Sequence, residues 1–198
     1  VERLCTHIEN ILASPNTNRD KSKEYSDLYN TPEVALDKLM DFADLNKYQN
    51  ILEPCNGIGK ISNYLKNLGY HIYTNELYEH SSSDFSDDFL APLDEVTYNI
   101  KNYDVIVTNP PYKLAKEFVL RGFEIAREQY LLLRLSFLEG QKRYQELFSK
   151  KHLKGVYIFT ARITCSEGIE ETPTANSVAY CWLHFDKEFV GQPTLYWI

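Results

Sequence analysis

The sequence of 198 residues lacks any segment that would take the chain into or across a membrane. No run of about 18 apolar residues occurs, which excludes a membrane-spanning helix. No basic stretch followed by an apolar segment opens the chain, so a secretion signal is not expected. The cysteines include no C-x-x-C pair, and we interpret them as reduced thiols of a cytoplasmic protein. They are Cys5, Cys55, Cys165 and Cys181.

Metal ligands are also scarce in the sequence. Cys181 and His184 share one strand-like segment. Two potential ligands do not make up the set that a zinc ion takes in proteins. We therefore predict no metal site.

The charged residues are unevenly distributed along the chain. The net charge is −7, which argues against a protein that coats nucleic acid without specificity. Residues 1–99 contain 8 Lys/Arg and 17 Asp/Glu, whereas residues 101–162 contain 12 Lys/Arg and 6 Asp/Glu. Solvated helix surfaces are the simpler explanation, so this asymmetry permits a phosphate-facing side without requiring one.

Strand and helix patterns alternate over residues 31–198. The composition, with 43% apolar and 25% charged residues, is typical of one globular domain. The preceding segment, residues 1–30, is predicted to be partly mobile because residues 14–26 are polar. Helices are predicted at residues 32–44, with Thr31 as N-cap, and at 60–68, 114–127 and 141–151. Strands are predicted at residues 51–53, 71–77, 104–108, 130–135, 156–160, 177–185 and 195–198. This order predicts a mainly parallel α/β sheet covered on both faces, and the closing strands, which no helices separate, predict an antiparallel edge.

A glycine turn follows the first of these strands, in the segment ILEPCNGIGKIS at residues 51–62. In a doubly wound sheet, ligands bind beyond the carboxyl ends of the strands. Gly57 and Gly59 have no Cβ, so a ligand can approach the backbone closely there. A dinucleotide fingerprint needs a third glycine where Ser62 stands, and a phosphate-binding loop needs glycine where Pro54 stands. The turn therefore predicts a ligand outside these two nucleotide classes.

Two carboxylates mark the ends of the first two predicted strands. Glu53 comes directly before the turn, where it would repel phosphate and attract a cation or an amino group. Glu76 ends the second strand, where a carboxylate can accept hydrogen bonds from ribose hydroxyls. S-adenosylmethionine carries an α-ammonium, a sulfonium and a ribose but no phosphate, so it matches this chemistry. An ordinary strand–turn–helix junction with surface carboxylates is the alternative.

The segment Asn109-Pro110-Pro111-Tyr112 directly follows the apolar strand DVIVT. Asn-Pro and Pro-Pro pairs are common in rigid turns, but this turn leaves a buried strand beside the predicted ligand crevice. The Asn109 side-chain carbonyl and the Pro110 main-chain carbonyl can accept the hydrogens of an amino group, which makes its lone pair available to a methyl donor. The two prolines fix φ and hold these acceptors in place. Tyr112 can stack on a base that has been flipped out of a duplex.

Together these segments resemble class I S-adenosylmethionine-dependent methyltransferases that act on amino groups. NPPY is similar to their catalytic motif, and EPCNGIG is similar to their cofactor motif. The cofactor motif comprises Glu53, Pro54, Cys55, Asn56, Gly57 and Gly59. The resemblance extends over residues 29–198 and is strongest to small, often phage-encoded, N6-adenine DNA methyltransferases, through segments such as LSFLEGQKR and NSVAYCWLHFD. It implies a doubly wound, mainly parallel, seven-stranded Rossmann-like sheet with an antiparallel edge strand, and S-adenosylmethionine as cofactor.

The resemblance also implies further residue roles. Tyr29, Thr31 and Pro32 lie in an element that would close over the methionine part of the cofactor. Asp88 would contact the cofactor's adenine amino group, and Phe89 would pack on the adenine ring. Asn109 is counted with the cofactor-binding residues as well as with the catalytic ones.

The chain departs from the larger members of that family, which carry a separate target-recognition domain. Recognition would therefore fall to loops, either residues 163–176 or the stretch with Lys113 and Lys116. The first loop carries Glu167, Glu170 and Glu171, which disfavour phosphate. A partner protein or a homodimer is another route to target recognition.

The predicted function is methyl transfer to the exocyclic N6 amino group of adenine in DNA. One alternative keeps the chemistry but acts on RNA bases or on protein glutamine side chains. Another is a catalytically silent cofactor-binding subunit of a methyltransferase complex. The positive charge of residues 101–162 fits nucleic acid better than protein, and the presence of both Asn109 and Tyr112 argues against a silent subunit.

Overall fold

Seven strands form one sheet in the computed structural model, which describes residues 28–78, 82–100, 102–167 and 178–198. In chain order the strands are β1 (Tyr29–Asn30), β2 (Ile51–Glu53), β3 (Ile72–Thr74), β4 (Tyr103–Thr108), β5 (Ala126–Arg134), β6 (Leu153–Ile158), β7 (Ser166–Glu167), β8 (Tyr180–Asp186) and β9 (Thr194–Trp197). The helices are α1 (Glu33–Phe42), α2 (Lys60–Asn67), α3 (Ala115–Ile125) and α4 (Gln141–Glu146). The sheet order is β3-β2-β4-β5-β8-β6-β9, and β1 pairs separately with β7.

The predicted fold class is confirmed. Strands β3, β2, β4 and β5 are mutually parallel, and β8 alone runs antiparallel to both of its neighbours, β5 and β6. The antiparallel strand therefore lies inside the sheet, two strands from the β9 edge, rather than at the edge itself. All seven residues of β8 are buried, as expected of a strand that is paired on both sides.

Helices cover both faces of the sheet. Val105 and Val107 of β4 belong to a hydrophobic cluster that includes residues of α1 and α2. Ile106, which alternates with them, packs in a second cluster with Phe118 of α3. The α1 helix is also fixed by a hydrogen bond, because the Trp182 indole nitrogen donates to Ala35 O at 2.9 Å.

The boundary between α3 and β5 differs from the sequence prediction. The helix was expected to extend to residue 127, but α3 ends at Ile125 and β5 begins at Ala126. Ala126 pairs with Tyr103 and Glu128 with Val105 in the parallel ladder with β4. Sheet pairing therefore overrides the helix preference of this stretch. The last predicted helix is also shorter, because α4 ends at Glu146 and a 3₁₀ turn follows.

Some predicted features lie outside the described residues. They include residues 14–26, for which the sequence predicts mobility, and residues 168–177, which contain most of the candidate recognition loop. Within the described part of the chain, no helix has both the length and the apolar character needed to span a membrane.

Candidate active site

The glycine turn between β2 and α2 lies at the carboxyl end of β2. Gly57 and Gly59 have φ angles of 52° and 81°, in the left-handed region that glycine adopts without strain. A Cβ on Gly57 would lie 2.8 Å from Leu28 Cδ1. The turn is therefore packed directly against the residue that precedes β1.

Glu76, just beyond the end of β3, binds this turn through the backbone. Its Oε2 accepts a hydrogen bond from the Gly57 amide at 2.6 Å, and its Oε1 accepts one from the Tyr78 amide at 3.0 Å. A carboxylate oxygen can accept more than one hydrogen bond. Glu76 therefore keeps acceptor capacity for the ribose hydroxyls that the sequence predicted as its partners.

Glu53, at the end of β2, is 1% exposed. Its Oε1 accepts hydrogen bonds from the Thr108 hydroxyl at 2.6 Å and from the Cys55 amide at 3.1 Å. Its Oε2 is buried and has no hydrogen-bond partner among the described residues. Burial raises the pKa of Glu53 well above its usual value, although the two hydrogen bonds oppose this effect. A buried carboxyl group in this state is suited to a cation brought by a ligand, because a nearby positive charge lowers the pKa and favours the ionised form.

Asn109 follows β4 directly and is held by the segment around β1. Its side-chain nitrogen donates to Tyr29 O at 2.9 Å and to Thr31 Oγ1 at 3.1 Å. Because a main-chain carbonyl can only accept, the nitrogen end of the amide must face Tyr29. The other end, Oδ1, is buried and finds no hydrogen-bond partner in the part of the chain that the structure describes.

The role expected of Thr31 as the N-cap of the first helix is wrong. Pro32 occupies the cap position of α1, and no side-chain hydrogen bond caps this helix. The Thr31 hydroxyl accepts from Asn109 instead, so this residue positions the NPPY turn rather than the helix.

The two turns predicted from sequence lie side by side at the carboxyl ends of β2 and β4. Strands β2 and β4 are adjacent and parallel, with Leu52 paired to Ile106, so their carboxyl ends lie side by side. The hydrogen bond between Thr108 and Glu53 joins these ends directly. The result is a pair of buried acceptors without partners among the described residues, Glu53 Oε2 and Asn109 Oδ1, on neighbouring strand ends.

Tyr112 is enclosed by other side chains. Its ring centroid lies 4.6 Å from that of Tyr29 and 5.9 Å from that of Tyr180. The Arg134 guanidinium carbon lies over the same ring, 4.6 Å from its centroid. Burial raises the pKa of the Tyr112 phenol, so the phenol is neutral and acts as a stacking surface. Stacking of a base on Tyr112 requires one of these neighbours to move.

Asp88 and Phe89 lie on the loop between β3 and β4. Phe89 is buried and stacks on Phe118, with ring centroids 4.9 Å apart. The Tyr98 hydroxyl donates to Phe89 O at 2.9 Å, and Asp88 Oδ1 accepts from the Leu90 amide at 3.0 Å. These contacts fix the loop, and the predicted contacts with the cofactor's adenine remain a prediction.

Two residues that the sequence interpretation missed organise the crevice. Thr108 carries the hydroxyl that binds Glu53. Asn75 is buried and donates to Pro54 O at 3.2 Å and to Asp87 O at 3.0 Å, which ties the glycine turn to the following loop. The available signal was a polar residue at or just beyond the end of a strand, in each case directly before a candidate site residue.

The polar residue inside the cofactor motif is also engaged. The Asn56 side chain accepts from the Ser62 hydroxyl at 2.5 Å and donates to Ser83 Oγ at 3.0 Å. Ser62, the residue that breaks the dinucleotide fingerprint, therefore stabilises the glycine turn from the first turn of α2.

Much of the positive charge in residues 101–162 is paired within the protein. Lys116, a candidate for DNA contact, forms a salt bridge with Glu146 at 2.6 Å. Buried Arg121 pairs with Glu124 at 2.8 Å. Arg127 and Lys154 both approach Asp186, with distances of 3.4 Å and 3.0 Å. Several cations of this segment are thus engaged in salt bridges within the described structure.

Within the described ranges, no three His, Cys, Asp or Glu side chains come together as a possible metal site. Cys181 is fully buried, and the His184 ring contacts Glu128 Oε2 at 2.7 Å. Cys181 therefore packs in the hydrophobic core, and His184 forms a buried polar pair with Glu128.

Three solved structures with similar folds are informative. A candidate RNA methyltransferase from Pyrococcus horikoshii is 18% identical, with a TM-score of 0.51 over 82% of this chain and 87% of its own. A candidate class I S-adenosylmethionine-dependent methyltransferase from Listeria monocytogenes is 12% identical, with a TM-score of 0.51 over 84% of this chain and 65% of its own. The DrdV–DNA complex is 11% identical, with a TM-score of 0.57 over 89% of this chain and 28% of its own.

The fold is that of class I S-adenosylmethionine-dependent methyltransferases. The sequence matches no protein-family model and no curated protein.

Proposed function

We propose that the protein is an S-adenosylmethionine-dependent methyltransferase that acts on the exocyclic N6 amino group of adenine in DNA. The observation that carries this proposal is the pair of buried acceptors, Glu53 Oε2 and Asn109 Oδ1, which lack partners among the described residues. They lie on neighbouring strand ends, so one can face a cofactor while the other faces a target amine.

The residues of the glycine turn fit S-adenosylmethionine. The free oxygen of Glu53 suits the α-ammonium group, and the positive φ angles of Gly57 and Gly59 let a ligand approach the backbone. Glu76 can accept hydrogen bonds from ribose hydroxyls. When bound, the cofactor supplies an electrophilic methyl group at this crevice.

The NPPY turn positions the target amine. Asn109 Oδ1 and the Pro110 carbonyl accept the two amino hydrogens, which turns the nitrogen lone pair away from the base ring. The hydrogen bonds from Asn109 to Tyr29 and Thr31 hold the amide in the orientation that this role requires. The ring of Tyr112 stacks on the base, and Pro111 limits the movement of the turn.

Adenine in DNA is favoured by the NPPY turn, by the tyrosines that surround it and by the likeness to a chain solved as a DNA complex. Beyond Tyr112, the described strands and helices mostly belong to the seven-stranded sheet and to the layers that pack on its faces. Recognition of a target sequence therefore falls to loops, to a partner protein or to a second copy of the chain.

The substrate class is tested with methyl-labelled S-adenosylmethionine, offered separately with DNA, RNA and a protein extract. We expect label in DNA, recovered as N6-methyladenine after digestion. Label confined to RNA or to protein would replace DNA as the substrate class. Bound cofactor with label in none of the three would identify a silent subunit.

The role of Asn109 is tested with Asn109→Ala. We expect the rate of transfer to fall by about 100-fold or more, as when an oriented acceptor or donor is removed from an active site. Cofactor affinity, measured by calorimetry, should change little. Exposed Asn46→Ala is the matched control and should keep both properties. Normal turnover by Asn109→Ala would refute the role of this side chain.

A further inference from the structure

Arg134 is a positive charge beside the NPPY turn that no carboxylate among the described residues neutralises. It ends β5, the strand next to β4. Among the described residues, its buried Nε has no hydrogen-bond partner and no carboxylate forms a salt bridge with it. Several other cations of residues 101–162 are paired, as Lys116 is with Glu146. A partly buried guanidinium in this state is suited to an anion from outside the chain.

The contacts of Arg134 are aromatic. Its guanidinium carbon lies 4.6 Å from the ring centroid of Tyr112 and 5.7 Å from that of Tyr29. A planar guanidinium on an aromatic ring takes the place that a stacked base would take. Arg134 and a target base therefore compete for the surface of Tyr112.

Arg134 is the neighbour of Tyr112 that can most easily leave. Tyr29 is anchored through its carbonyl, which accepts from Asn109, and Tyr180 lies 2% exposed within β8. The Arg134 side chain is long, and neither a salt bridge nor a hydrogen bond to its Nε holds it among the described residues. Its departure breaks the cation–π contacts with Tyr112 and Tyr29 and an electrostatic contact with the Tyr180 phenol, but no salt bridge to a described carboxylate.

We infer that Arg134 covers the stacking surface of Tyr112 in the free protein and moves to a backbone phosphate of the substrate when the target base enters. The inference rests on the proposed function and deepens it. A guanidinium presents a fork of donors that matches phosphate geometry. A nucleic acid brings such a phosphate with the base, whereas a protein glutamine does not. Arg134 is thereby a substrate-binding residue that selects nucleic acid.

The test compares Arg134→Met with the wild type on two substrates that differ in phosphate. For a single-stranded oligodeoxyadenylate, we expect kcat/KM to fall about tenfold, and the slope of log affinity against log salt to lose about one unit. For 2′-deoxyadenosine, which has no phosphate, we expect kcat/KM to rise about two- to fivefold, because the guanidinium no longer competes for Tyr112. A merely structural defect would lower both values.

Two further variants sharpen the comparison. Lys150→Met removes an exposed cation near the start of β6, at the opposite end of the sheet, and should change neither substrate. Arg134→Lys keeps the charge and should recover most of the salt slope. Equal losses on both substrates, or no change on either, would overturn the inference.

Equilibrium binding of the two probes separates this inference from the proposed function. Opposite shifts in affinity for the oligonucleotide and the nucleoside, with no methyl transfer by the wild type, would contradict the proposed function alone. Transfer to DNA without opposite shifts would contradict the role of Arg134 alone. Wild-type transfer confined to protein would overturn both.

Discussion

At the scale of single residues, the position of the Glu53 carboxyl group suits cofactor binding but lowers the free energy of unfolding when the group is ionised. It is buried, and burial raises its pKa well above the usual value. A carboxyl group whose pKa is raised by folding stabilises the folded state below its unfolded pKa, and this contribution is lost as the pH rises through its folded pKa. A bound cation would lower that pKa again and restore the stability of the ionised form.

Glu53→Gln separates these two effects. The variant resembles the protonated side chain at every pH, so the free energy of unfolding should lose the decline with pH that Glu53 causes, up to about 1.4 kcal/mol per pH unit. S-adenosylmethionine affinity at neutral pH should fall at least about tenfold, because a partner of the α-ammonium is lost. Urea denaturation across the pH range and calorimetric titration measure the two quantities. Unchanged cofactor affinity would remove Glu53 from the site.

At the scale of secondary-structure elements, α3 packs on β5 at a contact that only glycine allows. A Cβ on Gly122 would overlap the side chain of Gln129, which is fully buried and donates to Val119 O at 3.1 Å. Replacing a helical glycine by alanine ordinarily stabilises a protein by about 1 kcal/mol. Overpacking a core costs about 1–3 kcal/mol, so the clash is expected to prevail.

Gly122→Ala should therefore lower the free energy of unfolding by up to about 2 kcal/mol, the difference between these effects. In a Gln129→Ala background the overlap is absent, and the same substitution should be neutral or stabilising. Denaturant midpoints of the four proteins in this cycle provide the measurement. An equal loss in both backgrounds would mean that the contact with Gln129 is not the cause.

The elements also show which features the sequence could predict. Strand β4 was predictable because its apolar run is buried on both faces, and the NPPY turn followed from residue identities. The pairing of β1 with β7 involves two residues from each strand, far apart in sequence, and no periodicity indicates it. The sequence did not predict where β5 starts, because pairing with β4 determines its first residue. The contacts of Thr108 and Asn75 were also not predictable, because they depend on which strands become neighbours.

At the scale of the whole molecule, the chain is acidic, and several of its cations are paired within the described structure. Salt bridges inside the structure take up Lys116, Arg121 and Lys154. Arg134 stays beside the NPPY turn without such a partner among the described residues. Affinity for nucleic acid should therefore depend on a few contacts near the crevice rather than on a broad basic surface.

The most direct test of the central claim is a crystal structure of the protein with S-adenosylmethionine. The measured quantity is the distance from the sulfonium methyl carbon to the point, about 3 Å from Asn109 Oδ1, where a hydrogen-bonded amine nitrogen would lie. The predicted complex has the α-ammonium at Glu53, the ribose at Glu76 and the methyl carbon about 3–4 Å from the position of an amine held by Asn109, as a near-attack geometry requires. A cofactor bound elsewhere, or one whose methyl group points away from the NPPY turn, would contradict the account.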